Sequence, residues 1–226
     1  MLNILYKNGA SYTISQTIDE SAGGLFGVKL SEDRNEIFAG AYDKNLRVYR
    51  KNGASYTLNQ TIYADFQVFF INHIPGKLEV HGFSFNALFF EHDGTEYKLI
   101  QTIVTASFII RKTIKTDDFS RFVFGGSSLK MEMYEKLNGT YELTEELELG
   151  KNIYQIATDP RWLYFIVTTF EPSIDVLYRC PEECSSCSFP NNCTSCQEGY
   201  ALEGGVCQVI MTNCVQNKFI KGKVCE

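Results

Sequence analysis

The chain has 226 residues, 44% of them hydrophobic and 21% charged, and carries a net charge of −6 at pH 7. That balance suits a folded chain of one large β domain plus a small satellite, and its acidity argues against a nucleic-acid partner, which would want a basic face. No stretch approaches the roughly 18 apolar residues that cross a membrane; Trp162 to Val167, the best candidate, is of strand length only.

The chain opens Met1-Leu2-Asn3-Ile4-Leu5-Tyr6, without the basic, apolar and small-residue succession of a signal peptide. These residues already lie inside a repeat, so Met1 is not expected to be the natural start, and the missing leader weighs little on compartment. The repeat is clearest in Asn52 to Ile62 (N-G-A-S-Y-T-L-N-Q-T-I), which differs at two positions from Asn8 to Ile18. A worn copy runs from Asp93 to Ile103, and a fourth, one residue shorter, from Asn138 to Leu147. Each follows an aromatic beside a charge: Tyr6-Lys7, Tyr49-Arg50, Phe90-Glu91 and Tyr134-Glu135, with a fifth pair at Tyr178-Arg179. The aromatics are 43, 41, 44 and 44 residues apart, a period that belongs to stacked supersecondary units.

In chain order, each unit reads as four short strands. Leu25 to Leu30 alternates Phe26, Val28 and Leu30 against Gly27 and Lys29, and stops at Ser31-Glu32-Asp33-Arg34-Asn35. Glu36 to Ala41 follows. Leu46 to Arg50 is then expected to pair with Ser55 to Ile62 across a type I′ turn at Asn52-Gly53. In that last strand alternation sets Tyr56, Leu58, Gln60 and Ile62 on one face. The third unit reads as Phe66 to Ile71, Leu78 to Phe85 and Asn86 to Phe90, and the fourth as Phe108 to Arg111, Arg121 to Gly125 and Leu129 to Tyr134. A fifth, unfinished unit spans Ile153 to Ala157, Trp162 to Thr168 and Ile174 to Tyr178. Gly40, Gly82 and Gly125 mark the second strands, where glycine signals close approach of another backbone. Gln16, Gln60 and Gln101 recur at one position and become Glu145 in the fourth copy; this side chain either bonds backbone of a neighbouring unit or is a tolerated edge residue.

Four strands per roughly 43 residues is the sequence form of a propeller blade, and residues 1–179 resemble degenerate WD repeats. The aromatic-charged pair stands in place of Trp-Asp, and Ser31 to Gly40 resembles the turn and second strand of such a blade. No Gly-His and no Trp-Asp occurs, so the hydrogen-bonded tetrad of that family is assigned to no residue. The expected fold class is all-β: a β-propeller-like array of four-stranded blades, in an incomplete ring, followed by a small disulfide-rich module.

All eight cysteines lie in 180–226, at Cys180, Cys184, Cys187, Cys193, Cys196, Cys207, Cys214 and Cys225. So few aliphatic residues cannot form a sufficient core, and crosslinks must replace burial; eight cysteines allow 105 pairings. The run resembles the furin-like, growth-factor-receptor cysteine-rich repeat. That resemblance implies Cys180–Cys187, Cys184–Cys193 and Cys196–Cys207, with Cys214–Cys225 by analogy. Such a module beside divergent propeller repeats looks like the cysteine-rich surface proteins of ciliates. The competing reading is zinc on Cys184-x₂-Cys187 and Cys193-x₂-Cys196. Ribbons usually separate such knuckles by 15 to 20 residues, and zinc there would leave four cysteines unexplained.

Chemistry is thinly signalled. His73, His81 and His92 have no metal spacing and read as ordinary strand or loop residues. Asp117-Asp118, and Glu142 with Glu145 and Glu146, read as solvated turns and edges. No nucleophile elbow, phosphate loop or dinucleotide fingerprint is present, so no catalytic, cofactor or metal residue is assigned. Sequons stand at Asn59, Asn138 and Asn192, with Asn138 the best acceptor at a hairpin tip. The expectation is a fragment of a non-catalytic extracellular or cell-surface protein. It would bind a protein or glycan, with the cysteine module as a stiff spacer; the alternative is a cytosolic scaffold with a zinc-binding tail.

Overall fold

The computed structural model describes residues 1–19, 24–107, 109–162, 164–171, 173–181, 183–189, 192–209, 220–221 and 224–225. All its regular elements are strands. β1 (Leu2–Asn8) and β2 (Ser11–Ile18) form a two-stranded sheet. Three four-stranded antiparallel sheets follow, each with its strands in chain order. The first holds β3 (Leu25–Leu30), β4 (Glu36–Ala41), β5 (Asn45–Asn52) and β6 (Ser55–Tyr63). The next holds β7 (Val68–Ile74), β8 (Lys77–Gly82), β9 (Asn86–His92) and β10 (Tyr97–Val104), and the last β11 (Ile110–Lys115), β12 (Arg121–Gly126), β13 (Lys130–Leu137) and β14 (Thr140–Glu148). β15 (Ile153–Thr158), β16 (Tyr164–Thr169) and β17 (Ile174–Tyr178) form a three-stranded sheet. Trp162 stands outside β16, in a turn at φ 60°, and Phe66 precedes β7 because the chain turns through Asp65 at φ 64°. Phe108 lies outside the described residues.

Contacts divide the chain into Met1–Ile156 with Val167–Ile174, and Ala157–Ile166 with Asp175–Glu226. The division runs through the three-stranded sheet.

Within the first unit the sheets bury both faces, so their middle strands are continuous buried runs and not alternating ones. Residues 37–41 of β4 and 46–49 of β5 are all buried. Phe38, Leu46 and Val48 pack on Val68, Leu78, Val80 and Phe90. Phe89 and Ile103 pack on Phe119, Phe122, Phe124 and Tyr141. Each such side chain contributes about 1.5–3 kcal/mol when fully removed from water. The aromatic of the recurring pair is buried as Tyr49, Phe90 and Tyr134, but as Tyr6 it is 65% exposed.

Three expectations need correction. The hairpins of the first two copies pair Asn8 with Ser11 and Asn52 with Ser55. Their two-residue loops are therefore Gly9-Ala10 and Gly53-Ala54, with positive φ at the glycine alone, the pattern of a type II′ turn. Only the shorter fourth copy, with Asn138 at φ 51° and Gly139 at φ 92°, has the φ pattern of type I′.

Second, a bulge at Asn59 breaks the alternation of β6: Leu58 pairs with Tyr49 but Gln60 with Val48. Tyr56 and Leu58 thus face one way while Gln60 and Ile62 face the other. The same irregularity precedes Gln16, Gln101 and Glu145, so the extra residue aims the recurring amide at the next sheet.

Third, register places His81, not Gly82, at the position of Gly40 and Gly125. These three pair with Ala87, Leu46 and Met131 in turn, the second residue of each third strand. A Cβ at Gly40 would meet the Val68 carbonyl at 2.6 Å, and one at Gly125 would meet Ile153 at 2.9 Å. In the β7–β10 sheet an imidazole fills that slot.

The recurring glutamine is a junction clamp. Gln16 Nε2 donates to the Tyr56 carbonyl and its Oε1 accepts the Tyr56 N–H, both at 2.7 Å. Gln60 grips Tyr97 in the same way, both bonds at 2.9 Å, and Gln101 grips Tyr141, both at 2.7 Å. An amide carries the donor and the acceptor that a peptide unit needs.

In the second unit, β18 (Cys184–Phe189) pairs with β19 (Asn192–Cys196), β20 (Tyr200–Glu203) with β21 (Val206–Val209), and β22 (Ile220–Lys221) with β23 (Val224–Cys225). Disulfides join Cys180–Cys187, Cys184–Cys193 and Cys196–Cys207. Cys214 lies outside the described residues, and with it the pairing to Cys225. The Sγ atoms of Cys184, Cys193 and Cys207 lie within 4.8 Å of one another, but all three are disulfide sulfurs and not thiolates. Three disulfides point to an oxidising, extracellular-type setting.

Candidate functional site

A cleft of about 560 Å³ opens between the β3–β6 and β7–β10 sheets. One wall is the tight connection between β3 and β4. Ser31 Oγ donates to Asp33 at 2.6 Å and accepts the Glu36 N–H at 2.8 Å, and Asn35 N donates to Asp33 at 3.0 Å. Those bonds, the Ser31 hydroxyl first, hold the Asp33 carboxyl below its usual range. Asp33 is thus a loop organiser.

The floor is a chain of polar groups brought together from five strands. Glu36 faces Arg50 across the β4/β5 ladder and accepts Arg50 Nη2 at 3.0 Å. Its other oxygen accepts the Tyr97 hydroxyl at 2.9 Å. Burial, reinforced by Glu36, raises the Tyr97 phenol above its ordinary range, so it stays protonated. His73 packs tilted against Phe38, ring centroids 4.6 Å apart, and its Nε2 lies 3.1 Å from the Tyr97 oxygen. Burial pushes the His73 imidazole down, keeping it neutral. Since the phenol proton goes to Glu36, His73 Nε2 must donate; Nδ1 is then an unprotonated acceptor, buried without a partner among the described residues.

His92 completes the cleft. Gly94 N–H donates to His92 Nδ1 at 3.1 Å, which leaves Nε2 as the N–H of the ring. Arg50 Nη2, also a donor, approaches that Nε2 to 3.1 Å. Two donors therefore converge where an acceptor oxygen would bond both.

A second titratable cluster lies between β7, β8 and β11. Asn72 Nδ2 donates to Glu79 Oε2 at 2.5 Å, and the Thr113 hydroxyl lies 2.8 Å from His81 Nε2. Burial pushes the Glu79 carboxyl up to about 8 and the His81 imidazole down to about 3, so both are neutral near pH 7. Glu79 Oε1 approaches His81 at the same Nε2, at 3.4 Å. It cannot orient the ring from Nδ1, as a carboxylate does in a nucleophile-activating triad.

The residues singled out by sequence are dispersed. Asp118 caps its own turn through Ser120 N at 3.0 Å; Glu142, Glu145 and Glu146 lie along β14, with Glu146 paired to Lys130 at 2.6 Å. Asn59 is the exposed bulge residue of β6, and Asn138 is exposed at its hairpin tip. Asn192 Nδ2 is engaged by Ser188 Oγ at 2.8 Å. Glu36, Arg50, Glu79 and Tyr97 carried no functional signal in the sequence. They belong to strands otherwise read as packing, and only register unites them.

No protein-family model and no curated protein matches the chain. Among solved structures it is similar to one from Bacteroides uniformis assigned as a 6-phosphogluconolactonase, at 14% identity and a TM-score of 0.58, over 75% of this chain and 56% of that one. The chain thus spans about half the length of the structure it matches, and at this identity the likeness is one of fold. Among the described residues no helix is long and apolar enough to cross a membrane.

Proposed function

We propose that the protein is a non-catalytic binding protein of an extracellular or cell-surface setting, with WD-repeat-like propeller blades as the interaction platform and a furin-like cysteine module as a stiff spacer. The observation that carries this reading is the pair of converging donors, Arg50 Nη2 and His92 Nε2, 3.1 Å apart in an open cleft. A partner presenting an acceptor oxygen, from a glycan or a peptide, satisfies both. Chemistry is not supported by the same cleft: Glu36 is spent on Arg50 and Tyr97, and the phenol is held protonated. The cytosolic zinc-tail alternative loses six of its thiolates to disulfides. The likeness to a lactonase adds no residue-level argument for turnover.

The test is a screen of the full secreted chain against glycan and extracellular-protein arrays, followed by titration of the best binder. Arg50→Met and His92→Ala are each expected to weaken it at least about tenfold. An unchanged affinity in both variants, or turnover of a lactone or ester by the wild type that the Glu36→Gln variant loses, sinks the reading.

A further inference from the structure

A different cavity lies on the first strands of the sheets. β3 packs directly on β7, with the Phe69 carbonyl against Gly27. Between β7, β11 and β15 two adjoining hollows of about 240 and 150 Å³ share Phe70, Arg111 and Gln155 in their walls. Here His81 stands in the slot that is glycine in the sheets on either side.

The chemistry of the walls is one-sided. Among the described residues, Arg111 and Lys112 are the charged ones lining the two hollows, and no aspartate or glutamate lines either, although the chain as a whole carries −6. The neighbouring Glu79 is buried and neutral, its protonation favoured up to about pH 8. Arg111 Cζ sits 4.6 Å from the centre of the Phe170 ring, a cation–π contact that fixes the guanidinium. Its Nε is buried with no hydrogen-bond partner, and no carboxylate pairs with it, among the described residues. Around it stand the part-exposed aromatics Phe70, Phe83 and Tyr154, Phe70 stacked on His81 by one face, with the amides of Asn72 and Gln155 between them.

The geometry points to a second binding site, centred on Arg111, for a carboxylate-bearing sugar ring, that is, a uronic-acid-type saccharide. A fixed guanidinium without an acid partner matches a carboxylate in bidentate fashion. Part-exposed aromatics cover the apolar C–H face of a ring, and side-chain amides bond its hydroxyls. The site shares no lining residue with the Arg50–His92 cleft, and it stands whether or not that cleft binds anything.

The experiment is calorimetric titration of the full chain with a galacturonic acid trimer and with its methyl ester, at physiological salt. The acid binds, and the ester, which keeps every ring and hydroxyl but loses the charge, binds at least about tenfold more weakly. Arg111→Met loses a comparable factor, Arg111→Lys loses less because charge remains without the fork, and Glu145→Gln on β14 leaves the affinity unchanged. Thermal unfolding of each variant reports whether it is folded, and the ester comparison needs no variant. Absence of binding by the acid, equal binding of acid and ester, or full affinity in a folded Arg111→Met overturns the site.

Discussion

The sheets of the first unit and the cysteine module meet the same requirement, order at a stability above the entropy of the chain, by different means. Each inner sheet offers two apolar faces to two neighbours, and the aromatics of β4, β9 and β12 with their partners fill the space between. The described core of the module is Cys184, Cys193 and Cys207, with Cys180, Cys196 and Tyr200 packed on it. Its two-to-six-residue strands bury too little to hold themselves, and three disulfides constrain them instead. Repetition makes burial possible, because each sheet is covered by the next; short strands that bury little of themselves need covalent closure.

Removing the crosslinks is the strongest way to break that contrast. The double variant Cys184→Ala, Cys193→Ala is expected to cost the module about 2–5 kcal/mol. Thermolysin should then cut within 183–209 while the β3–β14 sheets stay resistant; cleavage of both regions together would show that they are not independently stabilised.

Breaking a junction clamp comes next. Gln60→Glu leaves the Tyr97 carbonyl without its donor and sets a partly buried charge beside it, a cost of about 2–4 kcal/mol in urea unfolding. A change below about 0.5 kcal/mol would mean that the amide is an edge residue after all.

The pH response of Glu79 sharpens the same point. Burial raises its carboxyl from 4.5 to about 8, so its contribution is whole below pH 4.5 and is lost as pH rises toward 8. His81, depressed from 6.5 to about 3, works in the opposite sense, but only below pH 6.5. Between pH 6.5 and 8 the wild type should therefore lose about 2 kcal/mol relative to Glu79→Gln; parallel stability curves in that window would contradict the burial argument. The smallest effect is expected at Glu145→Gln, within about 0.5 kcal/mol, since Glu145 is exposed on β14 and the amide keeps the shape of its side chain. A loss comparable to that of Gln60→Glu would show that this position, too, carries a junction.

The repetition of N-G-A-S-Y, the aromatic-charged pairs and the confinement of cysteine beyond residue 179 were enough to define an all-β chain of repeated four-stranded units with a disulfide-rich end. Period and composition are properties of the chain itself, and each unit repeats the same local solution. Faces and partners were not legible. The bulge at Asn59 inverts half a strand, because one inserted residue shifts the two-residue period. Phe26, Val28 and Leu30 look like a core face yet are 50%, 54% and 44% exposed, since apolarity does not say whether a neighbour covers it. His81 entered a glycine position only once register aligned the three second strands. Glu36, Arg50, His92 and Tyr97 meet because the packing of two antiparallel sheets brings residues up to 61 positions apart within hydrogen-bond reach. A site of that kind is set by the registers of two sheets and by the way they pack, and no spacing along the chain encodes either.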